Sequence, residues 1–403
     1  MSDGGKKPGL IPLDDALASL LAQVTPLAGA ETLVTSEARG RVLAVDLVSP
    51  VDVPPADNSA MDGYALRAAD LAALLPVTQR IPAGTVPTPL PAGEAARIFT
   101  GAQVPPGADT VVMQEFTELV DGQVRVTQPV TPGANVRLRG EDVRAGSIVL
   151  PAGTRLDAVA LGLAATAGAA QLSVTRRLRV AVFSTGDELV MPGEPLPPGA
   201  IYNSNRFTLR ALLQGLGCEV VDLGIVPDNL DATRAALREA ASRADVILTS
   251  GGVSVGEEDH LRPAVQAEGQ LDLWAIAIKP GKPFAYGRVG EAHFIGLPGN
   301  PVSSLVTFLV LVRPFLLKLQ GATRVAPRGY RIAAGFDWPK PDKRREFLRV
   351  RLDDEGGLAL FSNQSSGVLT SAFWADGLLD NPPGQAFSAG DPVRFIPFSE
   401  LLA

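Results

Sequence analysis

The 403-residue sequence holds a single cysteine, Cys218, and two histidines, His260 and His293. That excludes an intrachain disulfide and a Cys/His zinc site, and gives no support to a Cys/His nucleophilic couple. Any chemistry falls to carboxylates, Lys and Arg, hydroxyls and backbone N–H groups. Basic runs are also scarce: nothing exceeds the cluster Lys343-Arg344-Arg345, and 36 Lys+Arg against 43 Asp+Glu leave a net charge of -7. Binding a nucleic-acid backbone wants a basic stripe, so no nucleic-acid partner is expected. The polar, glycine-rich start, residues 1–9, is not followed by the apolar stretch of a secretory signal. The most apolar long segment, 302–312, is closed by Arg313-Pro314 and falls short of the roughly 20 residues a bilayer demands. The expectation is a cytoplasmic protein with no membrane association. No tandem repeat, Walker A pattern or G-x-G-x-x-G occurs, which leaves solenoid, P-loop and Rossmann dinucleotide readings unsupported.

What is present is ample apolar material, 46% hydrophobic against 20% charged residues, in a chain long enough for several cores. The pattern predicts a multi-domain α/β plus β fold in four parts. Residues 1–50 and 141–176 form an elongated domain, with leucines at helical spacing over 13–21 and an Ala/Gly/Leu helix over 157–167 that is expected to pair with that first helix. Residues 51–140 carry short strands broken by Pro-Gly punctuation and form an inserted β-rich domain. Over 177–326 strands (178–184, 219–226, 245–249) alternate with helices (205–216, 231–242, one starting near 261, and a long one over 301–319). That alternation predicts a doubly wound, mostly parallel α/β domain. Residues 327–403, with strands at 345–352, 358–361 and 392–397, read as a small β-barrel.

In open α/β sheets ligands sit at the carboxyl ends of the strands, and here those ends are polar. The first runs into Ser184-Thr185-Gly186-Asp187-Glu188 and the second into Pro227-Asp228-Asn229. The third runs into Ser250-Gly251-Gly252-Val253-Ser254-Val255-Gly256-Glu257-Glu258-Asp259. Glycines 251 and 252 let N–H groups point into an anion-sized concavity, although a tight turn with Asp259 as an N-cap explains the same residues. Carboxylates repel an oxyanion, so Asp187, Glu188, Asp228 and Asp259 are expected to hold a mediating Mg²⁺, which takes one or two carboxylates plus phosphate oxygens. Lys279 and Lys282, in Ile278-Lys279-Pro280-Gly281-Lys282-Pro283, offer positive charge, unless they are merely solvated. Pro298-Gly299-Asn300-Pro301 opens the long helix with Asn300 as cap and Pro301 at N1, which is structurally sufficient and also suits an anion.

Taken in order, these loops resemble the MoeA/gephyrin E-domain family. The match also includes Pro55-Ala56-Asp57-Asn58-Ser59-Ala60-Met61-Asp62-Gly63-Tyr64-Ala65, Thr100-Gly101-Ala102 and Gly140-Glu141-Asp142, and it runs from about residue 10 to 400. The resemblance implies molybdopterin molybdenumtransferase activity in molybdenum cofactor biosynthesis: Mg²⁺-dependent insertion of molybdenum from molybdate into adenylylated molybdopterin, with release of AMP. It implies that the central domain is of the molybdopterin-binding type. It further implies a homodimer held by the elongated domain, with the cleft shared between the α/β domain of one subunit and the inserted domain of the other. On that basis Asp62, Thr100, Glu188, Asp228 and Asp259 are the candidate catalytic residues. Asp142, Ser184, Thr185, Gly186, Ser250, Gly251, Gly252, Val253, Ser254, Lys279, Lys282, Pro298, Gly299, Asn300 and Pro301 are substrate-binding, and Arg349 and Ser371 approach from the C-terminal domain. A pterin adenylyltransferase is a candidate partner. It is also the rival enzymatic reading, opposed by the inserted and barrel domains that it lacks. A scaffolding role, known for some relatives, has no fused domain here to support it. Read one by one, Asp62-Gly63 is a turn, Thr100 a strand end, Asp142 a surface acid and Arg349 a solvated strand residue.

Overall fold

The computed structural model describes residues 9–27, 29–252 and 260–402. Its centre is a six-stranded sheet of β1 (Arg179–Thr185), β2 (Glu219–Val226), β3 (Val246–Ser250), β4 (Gly269–Ala275), β5 (Pro283–Val289) and β6 (Ala292–Leu297), ordered β2-β1-β3-β6-β5-β4. β2, β1, β3 and β6 pair parallel, and β5 runs antiparallel between β6 and β4. Alternate residues of each inner strand serve opposite faces. Val180, Val182, Val246 and Leu248 join α1 (Ser204–Gly215) and the long helix α4 (Pro301–Leu319) in one core. Ala181, Phe183, Ile247 and Phe294 meet α2 (Leu230–Arg243) and α3 (Leu261–Glu268) in the other. With both faces covered, the strands read as near-continuous apolar runs, which is why their alternation with helices was visible in the sequence.

α4 is longer than its apolar run suggests. Pro314 has no N–H to give, and its ring would meet the carbonyl four residues back. A wider π-turn over Phe308–Val312 takes up that mismatch, so the helix passes through the proline and on to Leu319. At 19 residues it is, among the described residues, the one helix long and apolar enough to cross a membrane, and 89% of its 18-residue apolar window is buried inside the fold. It is the core helix of the α/β domain.

Both chain segments contribute to the elongated domain. Strand Ala30–Val34 pairs antiparallel with Gln171–Thr175, and Leu47–Val48 with Ile148–Leu150. Leu43, Leu156, Ala160, Ala164 and Val174 fill its small core. The expected pairing of the first helix with helix 158–166 is not found. Helix Leu13–Ala22 buries Leu13, Ala16 and Leu20 against α4 and β1 instead, because that core offers a far larger apolar face.

The inserted domain is a curled six-stranded sheet, ordered Thr110–Met113, Gly63–Leu66, Ala95–Ile98, Leu74–Ile81, Gln123–Val126 and Thr117–Val120. Separate small cores lie on its two faces. In the C-terminal domain, Arg345–Leu352, Gly377–Asn381, Pro392–Pro397 and Tyr330–Ala333 pair in sequence, and Leu358–Leu360 pairs with the first of them. An Ala334–Leu358 bridge and the bond from Gly335 N to Leu358 O (2.9 Å) join the two ends, closing the expected barrel. The sequence pattern missed one contribution: Ile278–Lys279 leaves the α/β domain to pair in parallel with Arg345 and Glu346, adding a strand to the barrel's sheet.

Candidate functional site

The order β2-β1-β3 reverses direction between β1 and β3, the place where open α/β sheets bind ligands. Ser184 faces Ser250 in register, and Ser250 faces Leu297, so three strands end at one rim. Beyond that rim lies a cleft of about 450 Å³, walled by Thr185, Glu188, Ser250, Gly251 and the Pro298-Gly299-Asn300-Pro301 turn. Its other wall is a segment the sequence reading passed over, Tyr202-Asn203-Ser204-Asn205, together with Pro283 and Ser303.

Asn203 is 2% exposed and caps α1, its Oδ1 accepting from Arg206 N (3.2 Å), while its Nδ2 has no partner. A buried, unpartnered amide N–H₂ in a residue that lines the cleft is a donor waiting for an acceptor. The Asn-Ser-Asn run ahead of a helix was the available signal, and it reads as an ordinary cap. Asn205 Nδ2 donates to Gly299 O (2.7 Å), tying the starts of α1 and α4 together. Both helices therefore begin in the cleft, and their N-terminal dipole ends make it attractive to anions. At α4, Pro301 takes the N1 position as expected, but Asn300 makes no side-chain cap bond. Val302 N donates instead to Ser366 O (2.9 Å), from the C-terminal domain.

Gly186 shows why glycine is needed at the end of β1. Its φ is +142°, and a Cβ there would sit 2.5 Å from Glu188 Oε2, so the Glu188 side chain folds back over the loop only because nothing projects from residue 186. Gly251 and Gly252, at φ +90° and +66°, pack directly on Thr185, and Gly251 N is taken by Leu297 O (3.0 Å) rather than left for a ligand.

The charges fall differently from expectation. Glu188 is the one carboxylate, and the one charged side chain, on the described walls of the cleft. Lys279 is drawn away into the barrel, 3.2 Å from buried Glu346 and 3.6 Å from Asp342, whose carboxyl lies far below the usual range because of Arg344 and Lys279. Lys282 is exposed next to the lining residue Pro283 and has no ion pair among the described residues. Asp187 is exposed and Asp228 half-buried, and neither is among the described lining residues, nor is Asp142, which is exposed on a loop of the elongated domain. Val253, Ser254 and Asp259 lie outside the described residues. No group of three or more His, Cys, Asp or Glu able to hold a metal occurs among the described residues, so Asp187, Glu188 and Asp228 do not form a metal cage by themselves. A hard divalent cation that keeps most of its oxygens from a ligand needs only one or two carboxylates, and Glu188 fits that lesser role.

Asp62 and Thr100 are brought together, but in the inserted domain and away from this cleft. Asp62 Oδ1 accepts from Thr100 N (2.7 Å) and Thr100 Oγ1 (2.8 Å), and these bonds hold its exposed carboxyl below the ordinary aspartate range. Arg349 is not a solvated strand residue, nor does it line the cleft. It is 1% exposed, bonded to Ser371 Oγ (3.1 Å), Phe347 O (3.0 Å) and Ser365 O (3.4 Å), and burial pushes its guanidinium down to about 10. With Ser371, which is fully buried, it fixes the loop whose Ser366 carbonyl receives Val302 N.

Comparison with known proteins agrees with this layout. Residues 11–168 match the MoeA N-terminal region (domains I and II), 181–318 a domain described as a probable molybdopterin binding domain, and 331–398 the MoeA C-terminal region (domain IV). The molybdopterin molybdenumtransferase of Haemophilus influenzae is 43% identical over 98% of this chain and 100% of its own. That of a Nostoc species is 38% identical over 89% of this chain and 86% of its own. The crystal structure of the molybdopterin biosynthesis MoeA protein from Pyrococcus horikoshii superimposes with a TM-score of 0.83 at 29% identity, covering 96% of this chain and 100% of that one. With three matched regions in order and a full-length relative of this similarity, the chain belongs to the molybdopterin molybdenumtransferase (MoeA) family, the enzymes of molybdenum cofactor biosynthesis.

Proposed function

We propose that this enzyme inserts molybdenum from molybdate into adenylylated molybdopterin, with Mg²⁺ accompanying the pyrophosphate and AMP leaving. The observation that carries the reading is a cleft into which two helices begin, with a buried unpaired amide and a single carboxylate on its described walls. Such a cleft suits a phosphoanhydride better than a cationic or apolar ligand. The α1 start and Asn203 Nδ2 bind and orient phosphate oxygens, and Ser250 and the 298–301 turn close over them. Glu188 is the carboxylate that would hold Mg²⁺, which when bound would supply neutralisation and polarisation of the anhydride. Water adds at phosphorus, the anhydride P–O bond breaks, and AMP and the pterin phosphate separate. The two dithiolene sulfurs, which belong to the substrate, bond to molybdenum as one oxo ligand of molybdate leaves as water with the two thiol protons, in keeping with a chain whose lone thiol, Cys218, is buried.

Asp62 and Thr100 enter this reading from a second copy, in a homodimer whose cleft is shared. Their support is an exposed, preorganised carboxylate with no part in its own domain's core. A pterin adenylyltransferase is the source of the substrate. The test is incubation of the full chain with adenylylated pterin, molybdate and Mg²⁺, followed by assay of AMP and dithiolene-bound molybdenum. Absence of both products defeats the proposal, and net consumption of ATP would instead favour the adenylyltransferase reading. Mixing Asp62→Asn with Glu188→Gln chains, each inactive alone, restores about a quarter of wild-type turnover if the cleft is shared between copies.

A further inference from the structure

At the far end of α1 from the cleft, the elongated, α/β and C-terminal domains meet around a second hollow of about 620 Å³. Five arginines line it, Arg39, Arg155, Arg177, Arg313 and Arg324. Two acids do so too, Asp157 and Glu400, and both are engaged. Asp157 caps helix Ala158–Thr166 through Ala160 N (2.8 Å), and Glu400 pairs with Arg324 (3.5 Å) and accepts from Arg328 N (3.1 Å). Among the described residues the other four arginines make no ion pair. Positive charge is thus concentrated at one place in a chain whose net charge is -7.

Part of that concentration has a local explanation. Arg155 Nη2 donates to Gly215 O (2.8 Å) and Arg177 Nη1 to Gly217 O (3.0 Å), where they answer the negative end of α1. Arg313 has no such explanation. It is 7% exposed, its Nη1 reaches only Val325 O (3.2 Å), and its Nε has no partner. Burial, together with Arg155 and Arg324 close by, pulls its guanidinium down to about 10. A buried guanidinium facing other arginines, with a donor unused, is costly unless an anion completes it.

We propose that this hollow is a second ligand site for a compact phosphate-bearing multianion, with Arg313 as its floor, Arg155 as its wall and Arg39 and Arg177 as its rim. Guanidinium forks match phosphate oxygens two at a time, and the volume is that of a small-molecule site. The site shares no described lining residue with the strand-end cleft. It is coupled to that cleft by two helices. α1 runs from the cleft at Ser204 to the hollow at Gly215, about 18 Å, and α4 starts in the cleft at Pro301 and passes Arg313.

The test is calorimetric titration of the full chain with inorganic pyrophosphate and, separately, with ATP. The expected result is two classes of sites, one of which weakens at least about tenfold in the double variant Arg39→Ser/Arg177→Ser. Both of those residues are exposed and remote from the cleft, so the second class should be untouched. Arg313→Met should remove the weakened class altogether, and if that variant fails to fold, the rim variant decides. Equal affinity for the two probes assigns the site to phosphate alone, and tighter ATP binding assigns it to a nucleotide. A single class indifferent to the rim substitutions, or no binding of either probe, overturns the proposal.

Discussion

His293 is the second residue of β6, the strand that delivers Leu297 and the 298–301 turn to the cleft, and it ties the stability of that strand to pH. The imidazole is 6% exposed, its Nδ1 lies 2.8 Å from Tyr286 Oη, and Phe315 stacks edge-on with ring centroids 5.0 Å apart. Burial, with Arg288 adding to it, depresses its pKa from 6.5 to about 4. A base depressed in the folded state is neutral there, while the unfolded chain takes up a proton below pH 6.5. The stability it secures is therefore complete above that pH and is lost as pH falls toward 4. Integrated across that window the loss is about 3 kcal/mol. His293→Gln keeps an acceptor for the tyrosine hydroxyl and removes the titration. Urea unfolding of both proteins from pH 7.5 to 4 can be followed by the fluorescence of Trp274, whose ring lies 5.9 Å from that of Tyr286. The stability difference between the two should shift by about 3 kcal/mol in favour of the variant at low pH, since groups common to both cancel. A difference that stays constant with pH would refute the reasoning.

Other perturbations bear on the cleft and on the chain's one thiol. Asn203→Ala should cost about 1 kcal/mol of stability through the lost cap and raise KM for the adenylylated pterin, and steady-state kinetics beside urea titration separates the two effects. Gly186→Ala must place a side chain at φ +142° and displace Glu188, so turnover should fall at least about tenfold while the unfolding free energy falls by no more than about 1–3 kcal/mol of backbone strain. Arg349→Met leaves the 365–368 loop without its anchor and should destabilise by about 2–4 kcal/mol, with a loss of kcat that Arg349→Lys only partly restores. Cys218 is buried and its thiol is pushed up to about 12 by desolvation, so iodoacetamide at pH 8 should label the unfolded chain and spare the native one, as mass spectrometry would show.

The parts of the molecule that were legible in the sequence are those set by local pattern. Apolar strands alternating with amphipathic helices announced the central sheet, and Gly186, Gly251 and Pro301 marked the rim because a tight turn or an N1 position demands those residue types. Partners chosen by tertiary packing were not legible. The leucines of 13–21 define an apolar face but not the surface it meets, and α4 claimed it. Lys279 looked like free charge for the cleft until Glu346, 67 residues away in sequence, proved to hold it. Arg349 looked solvated because nothing local reveals that Ser371 and two carbonyls enclose it. Asn203 disguises a cleft donor as a helix cap, since its Oδ1 does one job and its Nδ2 is left for the other.

The short strand Ile278–Lys279 belongs by chain order to the α/β domain and by hydrogen bonding to the barrel. Swinging one domain away from the other would mean breaking that ladder and stripping Lys279 from a carboxylate with no access to solvent, so the two behave as one mechanical piece. The inserted domain joins the elongated one at its two chain crossings, where Val53 bridges Val143 (Val53 N to Val143 O, 2.7 Å) and Ala145 N donates to Asp52 Oδ1 (2.8 Å). If the enzyme opens and closes as it works, its hinge belongs at residues 53–59 and 136–143, and the barrel rides with the cleft it buttresses.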